Sequence, residues 1–520
     1  MIRTAGRSAA AIVACAAVAL SGCSKHSDPG PLSAIVSPAI PPSVQEISNP
    51  LRGQYEDLLN PLFPQGNPAQ QRYPAWPASY DASMRISWRQ LQPIDPATLP
   101  PDAPDDRRYD FSAIDDTLNK LASRNMRLGL RIVTVTPDPH DPIAIPDWMR
   151  PASTSSPAAP NSPGVTQVVP NWDDPRYLDA FGRLLSALGR RYDGDERLSV
   201  FEFSGYNQSG QFRDQSISAA SIRQLVTANV DAFPHTQLVV APQNPEIVRA
   251  LLADEVTKKL SAPVGIRAEC LGAQSPLPAW AESGDSQYVR NNDAVVNALK
   301  QRLASAPVIT EWCPPPPGTD PKAYYEKALH DVVRYHVSMT ASANFPDRDA
   351  TAAMDPKLYA LWAQANAAAG YRYSVQARPG SQSIQGTVAS ISVEWTNYGS
   401  AASTEQWVPG YKLVDSSGAV VRTLPATVNL KTLVHDDSSP SREEAVPATF
   451  SETVHVDLAG VAPGHYTLRA AVDWQQHKPG ASHVVNYGPM ALARDGRDGS
   501  GAYPIATLDI PRSGIAGTGG

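Results

Sequence analysis

Three glutamates fall within or at the ends of short apolar runs: Glu202 in Leu198 to Ser204, Glu269 in Val264 to Cys270, and Glu311 in Val308-Ile309-Thr310-Glu311-Trp312. Carboxyl groups so placed can work in pairs. One is kept protonated to deliver a proton, while the other stays ionised to accept one or to attack. The stretch Ser204-Gly205-Tyr206-Asn207-Gln208-Ser209-Gly210-Gln211 adds amides, as does Asn244. An amide hydrogen-bonds a hydroxyl but cannot donate a proton as a carboxylic acid does. Aromatic residues recur after the same kind of run: Trp88, Trp148, Trp172, Tyr206, Trp280 and Trp312. Flat rings beside amides and carboxylates suit a sugar, whose C–H faces stack on indole and whose hydroxyls need polar partners. Two or three of these tryptophans can equally be core or loop anchors. Arg52, Arg85 and Arg131 can orient an acidic sugar or a carboxylate, or form a buried ion-pair layer.

These residues need a scaffold that gathers strand ends. From Asn49 to about Gly370, short apolar strands alternate with amphipathic helices. Strands are expected near Gly53 to Tyr55 and at Met84 to Trp88, Met126 to Val133, Leu198 to Ser204, Gln237 to Ala241, Val264 to Cys270, Pro307 to Trp312 and Ser338 to Ser342. Helices are expected at Phe111 to Asn125, Pro175 to Tyr192, Ser216 to Ala232, from Pro245, through Ala294 to Ala304, at Tyr324 to Val337 and at Asp355 to Ala368. Such strict alternation points to an α/β fold, a (β/α)8 TIM barrel, whose active site lies at the C-terminal ends of the strands. A doubly wound open sheet is the alternative, but no Gly-x-Gly-x-x-Gly turn follows the first strand. From Tyr371 the helical period gives way to Thr/Val/Tyr/Trp alternation between turn residues, which reads as an all-β sandwich domain.

The expected organisation is a signal peptide over 1–22, a lipidated tether over 23–48, the barrel over 49–370, the sandwich over 371–512 and a frayed tail over 513–520. Arg3 and Arg7 precede the apolar run Ala9 to Leu20, too short for an ordinary membrane span. It ends in Leu20-Ser21-Gly22-Cys23, which resembles a bacterial lipobox and implies lipidation of Cys23. The expected location is the cell envelope, with the chain anchored in the membrane through Cys23. Ser24 after the cysteine favours the outer over the inner membrane, with the folded domains in the periplasm or at the cell surface. Pro is abundant at 50 of 520 residues, roughly twice its usual share. The net charge of -7 argues against nucleic acid as a partner. Cys270 and Cys313 follow adjacent expected strands, so a disulfide is allowed there. Strand parity opposes it: if Glu269 and Glu311 both face the lumen, Cys270 faces out and Cys313 in. Two cysteines with no nearby histidine pair give no metal site. The absence of Gly-x-Ser-x-Gly and Gly-x-x-x-x-Gly-Lys-Ser/Thr argues against a lipase-type nucleophile and nucleotide hydrolysis. No cofactor is called for, and a monomer is expected.

Several short motifs carry a resemblance. Asn49-Pro50-Leu51-Arg52-Gly53, Arg85-x-Ser87-Trp88 with Leu91-Gln92-Pro93, and Tyr109-Asp110-Phe111-Ser112-x-Ile114-Asp115 are followed by Arg131-Ile132, Pro146-Asp147-Trp148 and Trp172-Asp173-Asp174-Pro175. With Tyr371-Arg372-Tyr373 and Trp395-x-Asn397-x-Gly399, these resemble a bacterial glycoside-hydrolase-like lipoprotein family of unknown function, a barrel plus a trailing β-sandwich. Its barrel is similar to clan A glycoside hydrolases such as the family 42 β-galactosidases. The resemblance implies a nucleophile at Glu311, ending strand seven, and an acid/base glutamate after strand four. There this chain has Gln208 and Gln211, and Gln92 stands where Leu-Glu-Pro is usual. Losing a general acid typically costs about 10²–10⁴-fold. Glu202 or Glu269 can substitute, or each can be a buried structural glutamate. Two functions follow: a glycoside hydrolase acting on oligo- or polysaccharide, or a non-catalytic carbohydrate-binding or scaffold lipoprotein derived from one.

Overall fold

The computed structural model describes residues 35–36, 46–58, 79–136, 142–157, 166–206, 217–284, 286–291, 293–313, 315–341, 355–435, 447–477 and 481–510. Eight parallel strands close into a barrel in chain order. They are β1 (Gly53–Asp57), β2 (Asp81–Ser87), β3 (Arg127–Val133), β4 (Leu198–Glu202), β5 (Gln237–Val240), β6 (Gly265–Leu271), β7 (Val308–Trp312) and β8 (Met339–Ala341). Around them run α1 (Ser112–Ala122), α2 (Pro175–Tyr192), α3 (Ala219–Ala232), α4 (Pro245–Leu251), α5 (Ala294–Ser305), α6 (Pro321–Arg334) and α7 (Pro356–Ala368).

The helix starts follow local chemistry. Asp174, Asn244, Asp320 and Asp355 each cap a helix with a side-chain oxygen, and each is followed by Pro at the first position, where its missing N–H costs nothing. Along α2, Tyr177, Phe181, Leu184, Leu185 and Leu188 face the barrel and are buried, while Arg183, Arg190 and Arg191 pair with exposed carboxylates. After β3 an antiparallel hairpin, Ser153–Pro157 with Thr166–Pro170, stands in the connection to α2, which the sequence reading left without strands.

The lumen is layered. Leu51, Tyr55, Val200, Val239, Ile309, Met339 and Ala341 form its apolar lower part. A cavity of about 20 Å³, room for about one water, remains beside this layer, lined by Tyr55, Val200, Ile309 and Met339 together with Asp81, Glu202 and Arg267. The lumen is therefore a packed core, and any larger ligand must sit above it.

The second domain is a β-sandwich of two antiparallel sheets. One holds β9 (Tyr373–Gln385), β10 (Val388–Asn397) and β13 (Ala448–Asp457). The other holds β11 (Trp407–Asp415), β12 (Val420–Pro425), β14 (Gly464–Trp474) and β15 (Tyr503–Ile510). Buried Trp395, Tyr411, Leu413, Val456 and Leu468 lie between them. Ile35–Val36, expected in the tether, instead pairs antiparallel with β15. Glu46, also expected there, forms an ion pair with Arg52. The sandwich covers the N-terminal end of the barrel. Arg127, which opens β3, reaches Glu405 at 2.6 Å, and Glu196, just before β4, accepts from the Val485 N–H at 2.8 Å.

Candidate active site at the mouth of the barrel

Alternation along each strand lifts a charged residue above the apolar layer. Arg85 lies two residues past Ser83, Arg131 past Gly129, Glu202 past Val200, Glu269 past Arg267 and Glu311 past Ile309, so all five face the lumen near its C-terminal end. Arg267 joins them from below. The result is one cluster of three glutamates and three arginines. Arg85 and Arg267 both donate to Glu311 Oε2. Arg267 Nε stands 3.5 Å from Glu202 Oε2, so one guanidinium serves two carboxylates. Arg131 Nη1 lies 3.1 Å from Glu202 Oε1 and 3.4 Å from Glu269 Oε1, which caps the separation of those two oxygens at about 6.5 Å.

Exposure within the cluster is uneven. The side chains of Arg131 and Arg267 are 5% and 4% exposed, against 22% for Arg85 and 14% for Glu269. The surroundings push two of the carboxyls apart. At Glu269 burial, reinforced by the charge of Glu311, outweighs the arginines and raises the pKa to about 7. At Glu311 burial acts the same way, but Arg267 and Arg85 outweigh it and hold the carboxyl below its ordinary range. Near neutral pH the cluster thus offers one ionised and one protonatable carboxyl on adjacent strands. Tyr55, on β1, lies in the electrostatic field of both Arg267 and Glu311, and burial drives its hydroxyl pKa far up.

The ends of β6 and β7 resolve the cysteine parity conflict. The ladder runs Ile309 with Arg267 and Thr310 with Ala268, then shifts so that Trp312 pairs with Leu271. β6 therefore carries one extra residue at this point, a bulge, and Cys270 takes a left-handed backbone with φ of 60°. The extra residue breaks the alternation on which the objection rested. Cys270 and Cys313 are disulfide-bonded, with Cα atoms 4.4 Å apart.

The other candidates from the sequence lie elsewhere or serve packing. Arg52 precedes β1, so it sits at the opposite end of the barrel, where Glu46 and the Ala367 carbonyl hold it. Trp88 is fully buried, gives its indole N–H to Gln92 at 2.8 Å and meets Trp148, Tyr177 and Phe181 edge-on. Trp148, half-buried, donates to the Gln92 carbonyl. Trp172 and Tyr206 are buried against each other at 4.9 Å. Trp312 is buried against Tyr324 and Tyr325. The Asn244 side chain caps α4 through the N–H groups of Glu246 and Ile247. Asn207, Gln208 and Gln211 lie outside the described residues, as does Cys23. Sequence reading passed over Arg267, although its place two residues before Glu269 on an expected strand puts both on one face. It also passed over Tyr55, which ended the strand expected near Gly53. Among the described residues no group of three or more His, Cys, Asp or Glu could hold a metal ion, and no helix is long and apolar enough to cross a membrane.

No family model and no curated protein matches the chain. Among solved structures, the chain is similar to an endo-β-1,4-mannanase from Thermotoga petrophila, at 9% identity and a TM-score of 0.32, over 76% of this chain and 89% of that one. It is similar to a tri-modular endo-β-1,4-glucanase B from Bacillus halodurans, at 10% identity and a TM-score of 0.31, over 82% and 90%. A β-glucanase from Saccharophagus degradans, solved in complex with cellotetraose, gives 13% identity and a TM-score of 0.29, over 55% and 77%.

Proposed function

We propose that the protein acts on carbohydrate at the C-terminal mouth of its barrel, as a glycosidase in which Glu269 is the proton donor and Glu311 the ionised carboxylate. The supporting observation is the divergence of these two carboxyls within one set of guanidiniums. Glycosidic cleavage needs this pairing, with one acid to protonate the leaving oxygen and one base or nucleophile opposite it. Glu269 takes the place of the strand-four acid that the resemblance led one to expect. Glu202, sharing Arg131 with Glu269, balances the arginine charge beneath it. The lipobox-like segment ending at Cys23 supports anchoring of the chain at the outer membrane, with an oligo- or polysaccharide as its partner.

A second reading, a carbohydrate-binding lipoprotein without turnover, is favoured by one feature: the Glu311 side chain is 9% exposed and bonded by two arginines. A glycan panel scored for binding and for hydrolysis separates the two. The glycosidase reading expects hydrolysis by the wild type, and its loss with binding retained in Glu311→Gln and Glu269→Gln, by about 10²–10⁴-fold in rate for the latter. Its pH profile should fall as pH rises through about 7, where Glu269 loses its proton, and Glu269→Gln should erase that limb. Binding with no hydrolysis by the wild type supports the second reading.

A further inference from the structure

We propose that the Cys270–Cys313 disulfide and the Tyr324 hydroxyl form a strap that fixes Glu269 and Glu311 relative to each other, which makes Tyr324 a positioning residue of the site. This rests on the reading of these two glutamates given above. Glu269 is the residue before Cys270, and Glu311 lies two residues before Cys313. The bond therefore joins the two strand ends that carry the divergent carboxyls, directly beyond them. Among the described residues, Arg85, Arg131 and Glu202 sit on strands with no such covalent tie.

Tyr324, buried on α6, supplies the second tie. Its hydroxyl reaches the carbonyl of Leu271 at 2.9 Å and that of Cys313 at 2.5 Å, one acceptor after each strand's glutamate. A hydroxyl has one proton, so the two carbonyls share it and neither end can move away without losing it. Burial raises the pKa of this hydroxyl, so it remains a donor. The ring is admitted by Gly272, with φ of 85°, where a Cβ would come within 2.7 Å of it. The backbone between Glu269 and the ring is a tight turn, in which the Cys270 carbonyl accepts from the N–H groups of Ala273 and Gln274. The ladder alone does not hold the glutamates, because its register breaks at the bulge between Thr310 and Trp312 where they stand. The strap replaces the lost pairing at that point.

The test compares Tyr324→Phe and the double variant Cys270→Ser/Cys313→Ser with wild type. The titration of Glu269 is followed by NMR of glutamate-labelled protein, its signal assigned by its loss in Glu269→Gln. Arg131, Arg85, Arg267 and Glu311 all act on Glu269, so its midpoint reports their relative placement. The expected result is a midpoint lower by about one pH unit in the double variant, and by less in Tyr324→Phe, as the carboxyl moves away from Glu311 and gains water. On any glycan the wild type hydrolyses, kcat should drop about tenfold with KM within about twofold. An unchanged Glu269 midpoint in folded Tyr324→Phe and in the folded double variant, with only thermal stability reduced, overturns the proposal. If the double variant does not fold, the Tyr324→Phe midpoint alone decides. A wild type without hydrolysis would defeat the glycosidase reading, while the titration still decides the strap.

Discussion

Strands β2 and β3 carry charge at both ends of the barrel, and the two ends handle it differently. At the floor, Asp81 and Arg127 open these strands, and Glu405 arrives from the sandwich to complete a cluster of two carboxylates on one guanidinium. All three side chains are sealed, between 2% and 6% exposed, and Arg127 lies 5.6 Å from the ring centres of both Trp474 and Tyr487. At the mouth, Arg85 and Arg131 stand four residues further along the same strands, in a cluster with three carboxylates. There Arg85 and Glu269 keep contact with water. The same pairing chemistry thus acts as a joint between domains at one end. At the other it leaves one carboxyl partly open and able to change its protonation. Burial decides which role an ion cluster takes, since a sealed pair can neither meet a ligand nor exchange a proton with it.

The largest effect is expected at the floor. Arg127→Met should cost about 3–5 kcal/mol, because it leaves Asp81 and Glu405 facing each other in the interior without their cation. Urea unfolding of the full chain measures it. A loss under about 1 kcal/mol would mean that water reaches the floor and that the two ends do not differ as described.

A smaller effect sharpens the mouth. Glu269 binds its proton up to about pH 7 in the folded chain and to about 4.5 when unfolded. Between those values the folded state holds a proton that the unfolded state has released, so this group's contribution to stability falls as pH rises through the window. The loss is as much as ~3 kcal/mol, and it should vanish in Glu269→Gln. Glu311 acts in the opposite sense at lower pH: its depressed pKa contributes stability that disappears as pH falls through the folded value. Unfolding curves of wild type and Glu269→Gln from pH 4 to 8 separate the two, and parallel curves would show that Glu269 titrates normally.

The barrel and the residues of its mouth were largely legible in the sequence. Alternation placed the barrel strands within a few residues, and α2 was read from Pro175 to Tyr192 as it stands, because Asp174 and Pro175 mark its start and the apolar stripe its length. Glu202, Glu269, Glu311, Arg85 and Arg131 could be listed because strand-end position and side-chain type are both local properties. Their pairing could not, since it depends on barrel closure bringing β3 and β6 across the lumen. Tryptophan type left site and core open for a related reason: an indole after a strand fills space wherever helices leave it, and Trp88, Trp172 and Trp312 went into the helix layer. Within the sandwich, the exposed stretch Arg378 to Ser381 interrupts the alternation of β9, and β12 buries no residue, so neither strand has a continuous two-residue period to read. The floor was invisible, because Asp81 and Glu405 are separated by more than three hundred residues and meet only when the sandwich docks.

The smallest effect falls on Arg85. In Arg85→Met, Glu311 keeps Arg267, and the lost guanidinium was already 22% exposed, so part of its interaction was screened. The expected cost is about 1 kcal/mol, well below that of Arg127→Met although both remove an arginine from the same pair of strands. A second consequence distinguishes the two ends more sharply than the stability difference. Arg85 helps to depress the pKa of Glu311 and to oppose the rise at Glu269. Its removal should therefore raise both midpoints and move the titration of the mouth as a unit, whereas Arg127→Met should leave it in place. If Arg85→Met costs as much as Arg127→Met and shifts neither glutamate, the mouth is as closed as the floor, and Glu269 is a structural partner and no acid.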